Sequence, residues 1–408
     1  MSSQPEAGAR QAKLKMAREP LNSSAKTLAL LHPLFALTGV LHAAGGSLVP
    51  SLATRFHLSD SDAGLLFLLY YGGTSIGALL CRWNYARTIM LGFAGIVGCC
   101  LAIFAAPRPW LPLSFLSLGI SVGVPMSAIS LFVGRAFPDR TASLLTFLNF
   151  NWSLGALTAP LIAARILLHH TYRAAYLLFA AMAIVAAIVC LLFLEEPLET
   201  ERPVSETGSR SAWSFVLLFA VAAFLEVGVE NTAAAWLPTF SLRTAEKGIA
   251  MAAATSALYW LGFLASRGAC SLLLMRIVPA KVFRAAVLGG IVASSILAAL
   301  SSVTGRGAAM FLLGASLAPN YPLVISGALS RVRRTSDSRW VLATAGSGGS
   351  VLPWLAGAIS AQTGSLRVGM LVIPAALMLM LLVIPAFRES RTSNDVFGHP
   401  SAGGGASH

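Results

Sequence analysis

Apolar residues run through this chain in stretches of about 20 or more, the length a helix needs to cross the hydrocarbon of a bilayer. Twelve stretches are legible: 28–52, 64–81, 86–105, 111–133, 141–167 and 172–194, then 212–240, 249–274, 282–302, 308–329, 339–362 and 366–387. Those around Ala308 and Arg339 read as the least hydrophobic. An even number of crossings returns both termini to one side. The rhythm breaks at 195–210, EEPLETERPVSETGSR, an acidic segment rich in Pro, Ser and Thr that reads as a loop. The pattern predicts an all-α integral membrane protein of twelve transmembrane helices in two pseudo-symmetric six-helix bundles, at 28–194 and 213–387. A linker at 195–212 joins them, and cytoplasmic disordered tails occupy 1–27 and 388–408.

The halves echo one another in register. Leu118-Gly-Ile-Ser-Val-Gly in the fourth run matches Leu313-Gly-Ala-Ser-Leu-Ala in the tenth. His42 stands eight residues before Pro50, and Glu230 eight before Pro238, each in the first run of its half. Tyr70-Tyr71 precedes Gly73 as Tyr259-Trp260 precedes Gly262, each in the second. Repeated halves with a site at their interface near mid-membrane are the layout of many secondary transporters.

Composition narrows the class. With 56% hydrophobic and 11% charged residues, the chain lies far from soluble globular proteins, which carry about 25% charged residues. The formal charge of +13 would suit nucleic acid, but its placement gives a different reading. About 21 of the 29 Lys and Arg fall on one side if the chain starts in the cytoplasm, the bias that orients membrane proteins. A cell inner (plasma) membrane location with both termini cytoplasmic follows, and no nucleic-acid partner. The five cysteines lack metal-ligand spacing and read as packing residues. His169 and His170 read as solvated loop residues rather than a metal site. Gly72-Gly73-x-x-x-Gly77 and Gly119-x-x-x-Gly123 suit close helix crossings, since no helix start or Walker lysine accompanies them. No nucleophile–base pair appears in the runs, so neither an enzyme nor a cofactor is expected.

Candidate chemistry centres on 224–240, FLEVGVENTAAAWLPTF. Glu226 and Glu230 lie four apart on one helical face at membrane depth, where a carboxylate usually faces a partner, a cavity or a transport path. Both are proton-coupling candidates, with Glu230 foremost, and Glu230 also as an acceptor for substrate hydroxyls. A structural carboxylate bonding a neighbouring helix is the plain reading of each. His42, the symmetry counterpart of Glu230 and the only histidine read as deep in an apolar run, could bind substrate or titrate in the working pH range. Its plain reading is a ring satisfied by a backbone carbonyl. Asn149 and Asn151, two apart, point different ways, so one could line the pathway while the other bonds a neighbouring helix. Asn320 and Tyr321 sit where Pro319 and Pro322 interrupt a helix and free carbonyls, or simply kink it. Tyr71, Trp260 and Trp354 offer planes for a ring or sugar face, and Asn231 joins the substrate-binding set. Aromatics at such positions also serve packing and interfacial anchoring.

Twelve helices in two halves with a central cytoplasmic loop resemble the major facilitator superfamily. Its Gly-rich, basic signature between helices two and three is matched by Gly77, Arg82 and Arg87, while Cys81 stands for the usual aspartate and Asn84 for the usual glycine. Gly228-Val-Glu230 with Trp236-Leu-Pro238-Thr-Phe240 is similar to the seventh helix of the fucose-permease-like sugar transporters. Trp260-x-Gly262 with Arg267, Gly314 to Pro322, and Gly348-Gly349-Ser350-Val-Leu-Pro353-Trp354-Leu-Ala-Gly357 extend that likeness, as does Asn149-Phe-Asn151-Trp-Ser-Leu-Gly155 in the first half. Proton-coupled fucose permeases carry acids in the first and fourth helices; here the first holds His42 and the fourth has none. The resemblance implies secondary transport of a small polar solute, a sugar or polyol, by alternating access in a monomer within the lipid bilayer; the membrane depth of Glu230, read by itself, makes protons the candidate coupling ion. The alternatives are an exporter or antiporter of amphipathic compounds and a non-transporting membrane receptor.

Overall fold

The computed structural model describes residues 4–81, 84–137, 140–196, 213–245, 248–274, 276–300, 302–331 and 335–383. Arg82, the linker beyond Glu196 and the C-terminal tail lie outside the described residues. The first half consists of α1 (Gln4–Phe56), α2 (Asp60–Leu79), α3 (Tyr85–Ala105), α4 (Leu111–Ala136), α5 (Thr141–Leu167) and α6 (Tyr172–Phe193). The second consists of α7 (Trp213–Ala245), α8 (Ile249–Leu273), α9 (Pro279–Ala299), α10 (Val303–Leu317), α11 (Asn320–Arg331), α12 (Thr335–Thr363), α13 (Leu366–Met370) and α14 (Val372–Met380). Two crossings are broken helices, α10 with α11 and α13 with α14, so the fourteen helices make twelve crossings. The first break falls at Ala318–Pro319, where proline has no N–H to continue the ladder.

Ten crossings among the described residues are long and apolar enough to span on that ground alone. The other two are α2 and α12. The tenth crossing, Val303–Ala328, has a mean hydropathy of 1.5, so the sequence reading of weakness near Ala308 is corrected, while that near Arg339 agrees. α2 and α12 pack against each other, α2 also on α4 and α12 also on α7. On the faces turned to these neighbours they carry Gly72, Gly73, Thr74 and Ser75, or Gly348, Gly349 and Ser350, in place of bulky apolar residues. A second difference lies at the chain start. α1 is helical from Gln4 rather than beginning near residue 28, and its Ala, Lys, Arg, Gln and Leu content favours a helix where hydropathy suggests a disordered tail.

The internal repeat is visible in the packing. α1 lies on α5 as α7 lies on α12, and α2 on α4 as α8 on α10. In the first pair, a Cβ on Gly155 would stand 1.9 Å from the Ala36 carbonyl oxygen; in its counterpart, one on Gly348 would stand 1.8 Å from that of Phe224. Ala36 is six residues before His42, and Phe224 six before Glu230. Likewise a Cβ on Gly119 would stand 2.0 Å from the Tyr70 carbonyl oxygen, and one on Gly314 1.9 Å from that of Tyr259. Only glycine lets the backbones cross this closely.

The halves meet along α2–α12 and α5–α8, with α1 crossing α7 between them. We call the face on which α1 begins inner and the opposite face outer. On the inner face the signature region gives a physical account of its departures. Asn84 has φ of +52°, a left-handed conformation for which asparagine is the next choice after glycine, and its side chain caps α3 by accepting from Arg87 N at 3.0 Å. The Glu196 carboxylate, just beyond α6, accepts from Tyr85 N at 2.6 Å and Ala86 N at 2.8 Å, completing that helix terminus. Cys81 donates its thiol to the Val124 carbonyl on α4.

Candidate functional site

The centre is built where α1, α2, α5, α7 and α8 converge. His42 on α1 lies 3.3 Å (Nε2) from Asn231 Oδ1 on α7, and Asn231 Nδ2 donates to the Gly349 carbonyl on α12 at 3.2 Å. The His42 ring is 5.1 Å from Tyr71 on α2 and 5.2 Å from Trp152 on α5. Trp152 meets Trp260 on α8 at 5.9 Å, across the boundary between the halves, and Trp260 packs on Tyr259 at 5.1 Å. The tyrosines continue the repeat: Tyr70 Oη donates to the Leu41 carbonyl on α1 and Tyr259 Oη to the Glu230 carbonyl on α7.

Both carboxyls are buried, Glu226 at 1% and Glu230 at 8% exposure. Neither Glu226 oxygen has a protein hydrogen-bond partner, nor do His42 Nδ1, Trp152 Nε1 and Asn320 Oδ1. Buried polar atoms are normally paired, so those on His42, Trp152 and Glu226 leave hydrogen-bonding capacity that no other protein group takes up. Tyr71, Tyr259 and Tyr321 lie within electrostatic reach of Glu230, and Arg267 within reach of both carboxyls, though not in ion-pair contact with either. Instead Arg267 Nη1 donates across the halves to Ser153 Oγ at 2.9 Å and the Asn149 carbonyl at 3.3 Å, with its guanidinium 4.7 Å from the Phe263 ring.

Not every expected residue joins the centre. His42, Tyr71, Glu226, Glu230, Asn231 and Trp260 do, with Tyr321 beside them. Asn149 is exposed, and its side chain donates to Leu145 O on its own helix. Asn151 Nδ2 lies 3.3 Å from His32 Nδ1 on α1 and donates to Phe147 O, so it bonds a neighbouring helix. His32 thus makes a helix contact near the start of the first crossing, while His42 lies buried further along it. Asn320 closes the break between α10 and α11 by donating to Ser316 O at 3.3 Å. Trp354 is 37% exposed and remote from the aromatic cluster, because the inward face of α12 there belongs to Leu352 and Pro353, whose carbonyl accepts from Trp236 Nε1. In the signature, Gly77 packs against the Ile120 carbonyl and Arg87 is exposed. The sequence reading missed Arg267 as a site residue, and Trp152. An arginine on an apolar helix is itself a signal for the first, whereas Trp152 stood out only within its motif.

A second group bridges the halves at the outer face. Arg243, on the last turn of α7, donates from both terminal nitrogens to the Asp60 carboxylate at the start of α2, one of the bonds measuring 2.7 Å. Ser360 on α12 donates to the same carboxylate at 2.5 Å. Asp60 precedes the apolar part of α2. Burial opposes its charge, but the bonds from Arg243 and Ser360 and the Arg243 charge outweigh it and hold the carboxyl below its ordinary value. With Arg267 joining α8 to α5 on the inner side, the halves are bridged both above and below a buried centre.

Mirrored bundles, bridges at two faces and a polar centre between them define a carrier that exposes one site alternately to either side. The chain belongs to the Major Facilitator Superfamily, whose model matches residues 33–338. It is 22% identical to the glucose/mannose transporter GlcP of Bacillus subtilis, over 89% of this chain and 94% of that protein. It is 27% identical to a glucose/galactose transporter of Brucella abortus, over 81% and 87% respectively. Its fold matches that of FucP in the outward conformation with a TM-score of 0.63 at 19% identity, covering 90% of this chain and all of that one. A bacterial homologue of the lysosomal transporter Spinster, facing inward, matches with a TM-score of 0.69 at 15% identity, covering 90% and 96%. The protein is thus a multi-pass membrane transporter of a small solute and not an enzyme.

Proposed function

We propose that this protein carries a sugar or related polyol across the cell's inner (plasma) membrane by alternating access, both termini cytoplasmic, as a monomer whose halves at 28–194 and 213–387 rock about the centre. The observation that carries the reading is the set of buried polar atoms without protein partners, on His42, Trp152 and Glu226, beside aromatic planes. A sugar ring supplies apolar faces for such planes and hydroxyls that both donate and accept. The sugar specificities of the GlcP and Brucella relatives agree with that match. Asn231, Tyr71 and Trp260 complete the binding set.

Coupling to protons runs through Glu230, with Glu226 and His42 as its neighbours. An ionised carboxylate in this buried setting is costly unless paired, so its charge state depends on which side is open. Purified protein in liposomes tests both parts of the reading. Labelled glucose or galactose is expected to exchange across the membrane, and an inward pH gradient to drive its accumulation. Glu230→Gln is expected to abolish accumulation while sparing counterflow. Uphill uptake by that variant at the native rate refutes the coupling role. If no hexose or polyol exchanges, while amphipathic cations compete for binding and move, the exporter reading replaces the sugar reading.

A further inference from the structure

Away from the pathway, at the outer rim of the second half, two arginines lie together with no acid paired to them among the described residues. Arg306, in the first turn of α10, is only 3% exposed, and its Nη1 has no hydrogen-bond partner. Arg367, at the start of α13, lies within electrostatic range of it and donates its own Nη1 to the Ala298 carbonyl at the end of α9, 3.1 Å away. The two guanidiniums therefore flank the α9–α10 turn.

The sequence offers them little counter-charge. No Asp or Glu occurs between Glu246 and Asp337, or between Asp337 and Glu389, and Asp337 belongs to the inner end of α12. On the outer face Asp60 is committed to Arg243 and Asp62 to Arg108, while Glu246 lies outside the described residues. A buried, unpaired guanidinium is costly, and a second cation beside it adds to the cost. The N-terminal end of α10 contributes a further positive field from the same side.

We infer that this rim is a binding site for a phosphate-type oxyanion, held between Arg306 and Arg367. A tetrahedral anion accepts from two guanidinium forks at once, and each fork matches a pair of its oxygens. The crossing begins at Val303, which sets the site at headgroup depth. The anion is either the phosphodiester of an anionic phospholipid or free phosphate from solution.

Thermal unfolding of the purified full chain tests the site in two arms. In nanodiscs, phosphatidylglycerol is compared with phosphatidylcholine; in detergent, inorganic phosphate is compared with chloride at equal ionic strength. A rise of about 2–4 °C is expected from the occupied site. Arg306→Gln should remove it and Arg367→Gln should reduce it. A rise with phosphatidylglycerol only assigns the lipid, and a rise with phosphate in the second arm assigns a free anion. No rise in either arm overturns the inference, as does a rise that both variants keep. If Arg306→Gln does not fold, Arg367→Gln alone decides, because its half-buried side chain makes a single hydrogen bond to a helix end rather than filling the core.

Discussion

Asp60→Asn isolates what the outer bridge contributes to the conformational balance. The substitution keeps the shape and the Ser360 contact but removes the charge that Arg243 grips with two nitrogens. Hydrogen bonds to charged groups contribute about 1.5–3 kcal/mol each when shielded. Exposed ion pairs contribute about 0–1 kcal/mol. Here Asp60 is 11% exposed but Arg243 is 47% exposed, which places the latch between those limits, at about 1–2 kcal/mol. That is a factor of about 5–30 in the ratio of outer-closed to outer-open molecules. The measurement is the distance distribution between spin labels at Arg55→Cys and Gln362→Cys, on opposite halves at the outer face, with the five native cysteines replaced. Asp60→Asn should enlarge the long-distance population by that factor, and the exchange Asp60→Arg with Arg243→Asp should restore much of the short one. An unchanged distribution in Asp60→Asn refutes the latch, since the bond would then be made without favouring either state.

Three further outcomes follow from the same geometry. Because Asp60 is held below its ordinary value of 3.8, its contribution is complete above that value and fades only as pH falls through the lower, folded-state value; the same spin-label distances should therefore be flat from about pH 5 to pH 8. Gly348→Ala places a methyl 1.8 Å from the Phe224 carbonyl oxygen and should force α7 and α12 apart, lowering the unfolding temperature by an amount that reflects about 1–3 kcal/mol of overpacking; an unchanged melt would show that the crossing relaxes freely. At Asn84, φ is +52°, so Asn84→Gly should cost only a few tenths of a kcal/mol by losing the cap, whereas Asn84→Leu adds backbone strain of about 1–3 kcal/mol, an order readable in thermal melts.

The fold was legible because lipid imposes a simple rule: a crossing must be long, apolar and helical, and twelve such runs stand out. The rule weakened where protein replaces lipid as the neighbour. α2 and α12 carry glycines and serines that hydropathy penalises but interhelical packing requires. Tandem repetition was legible too, because Tyr70 and Tyr259 do the same work on the same neighbouring helix of each half. Of the centre, the sequence revealed what is chemically conspicuous: Glu226, Glu230, His42 and Trp260. It could not reveal direction within a motif. Trp354 looks suited to a sugar face yet is 37% exposed, whereas Trp152, which stands out only within its motif, meets Trp260 across the halves. Nor could it pair residues distant in the chain. Asp60, Arg243 and Ser360 stand far apart in the chain and are brought together only by the fold.

The two bridges differ in kind, and the difference bears on where coupling must sit. At the outer face a charged pair closes the halves with its own counter-ion, so nothing that happens in the centre alters its charge balance. On the inner side Arg267 rests on a hydroxyl and a carbonyl, both neutral, while two carboxyls within its electrostatic reach have no counter-ion. Ionising either carboxyl gives Arg267 a competing partner on the second half and weakens its hold on α5. Protonating both leaves the bonds to Ser153 and Asn149 as its best alternative. If Glu230 carries the proton as proposed, its protonation should be felt at the inner bridge and not at the outer one. A solute that hydrogen-bonds Glu226 or Glu230 would act on the same bridge, and loss of the Arg267–Ser153 contact on ionisation is the outcome that the proposed coupling requires.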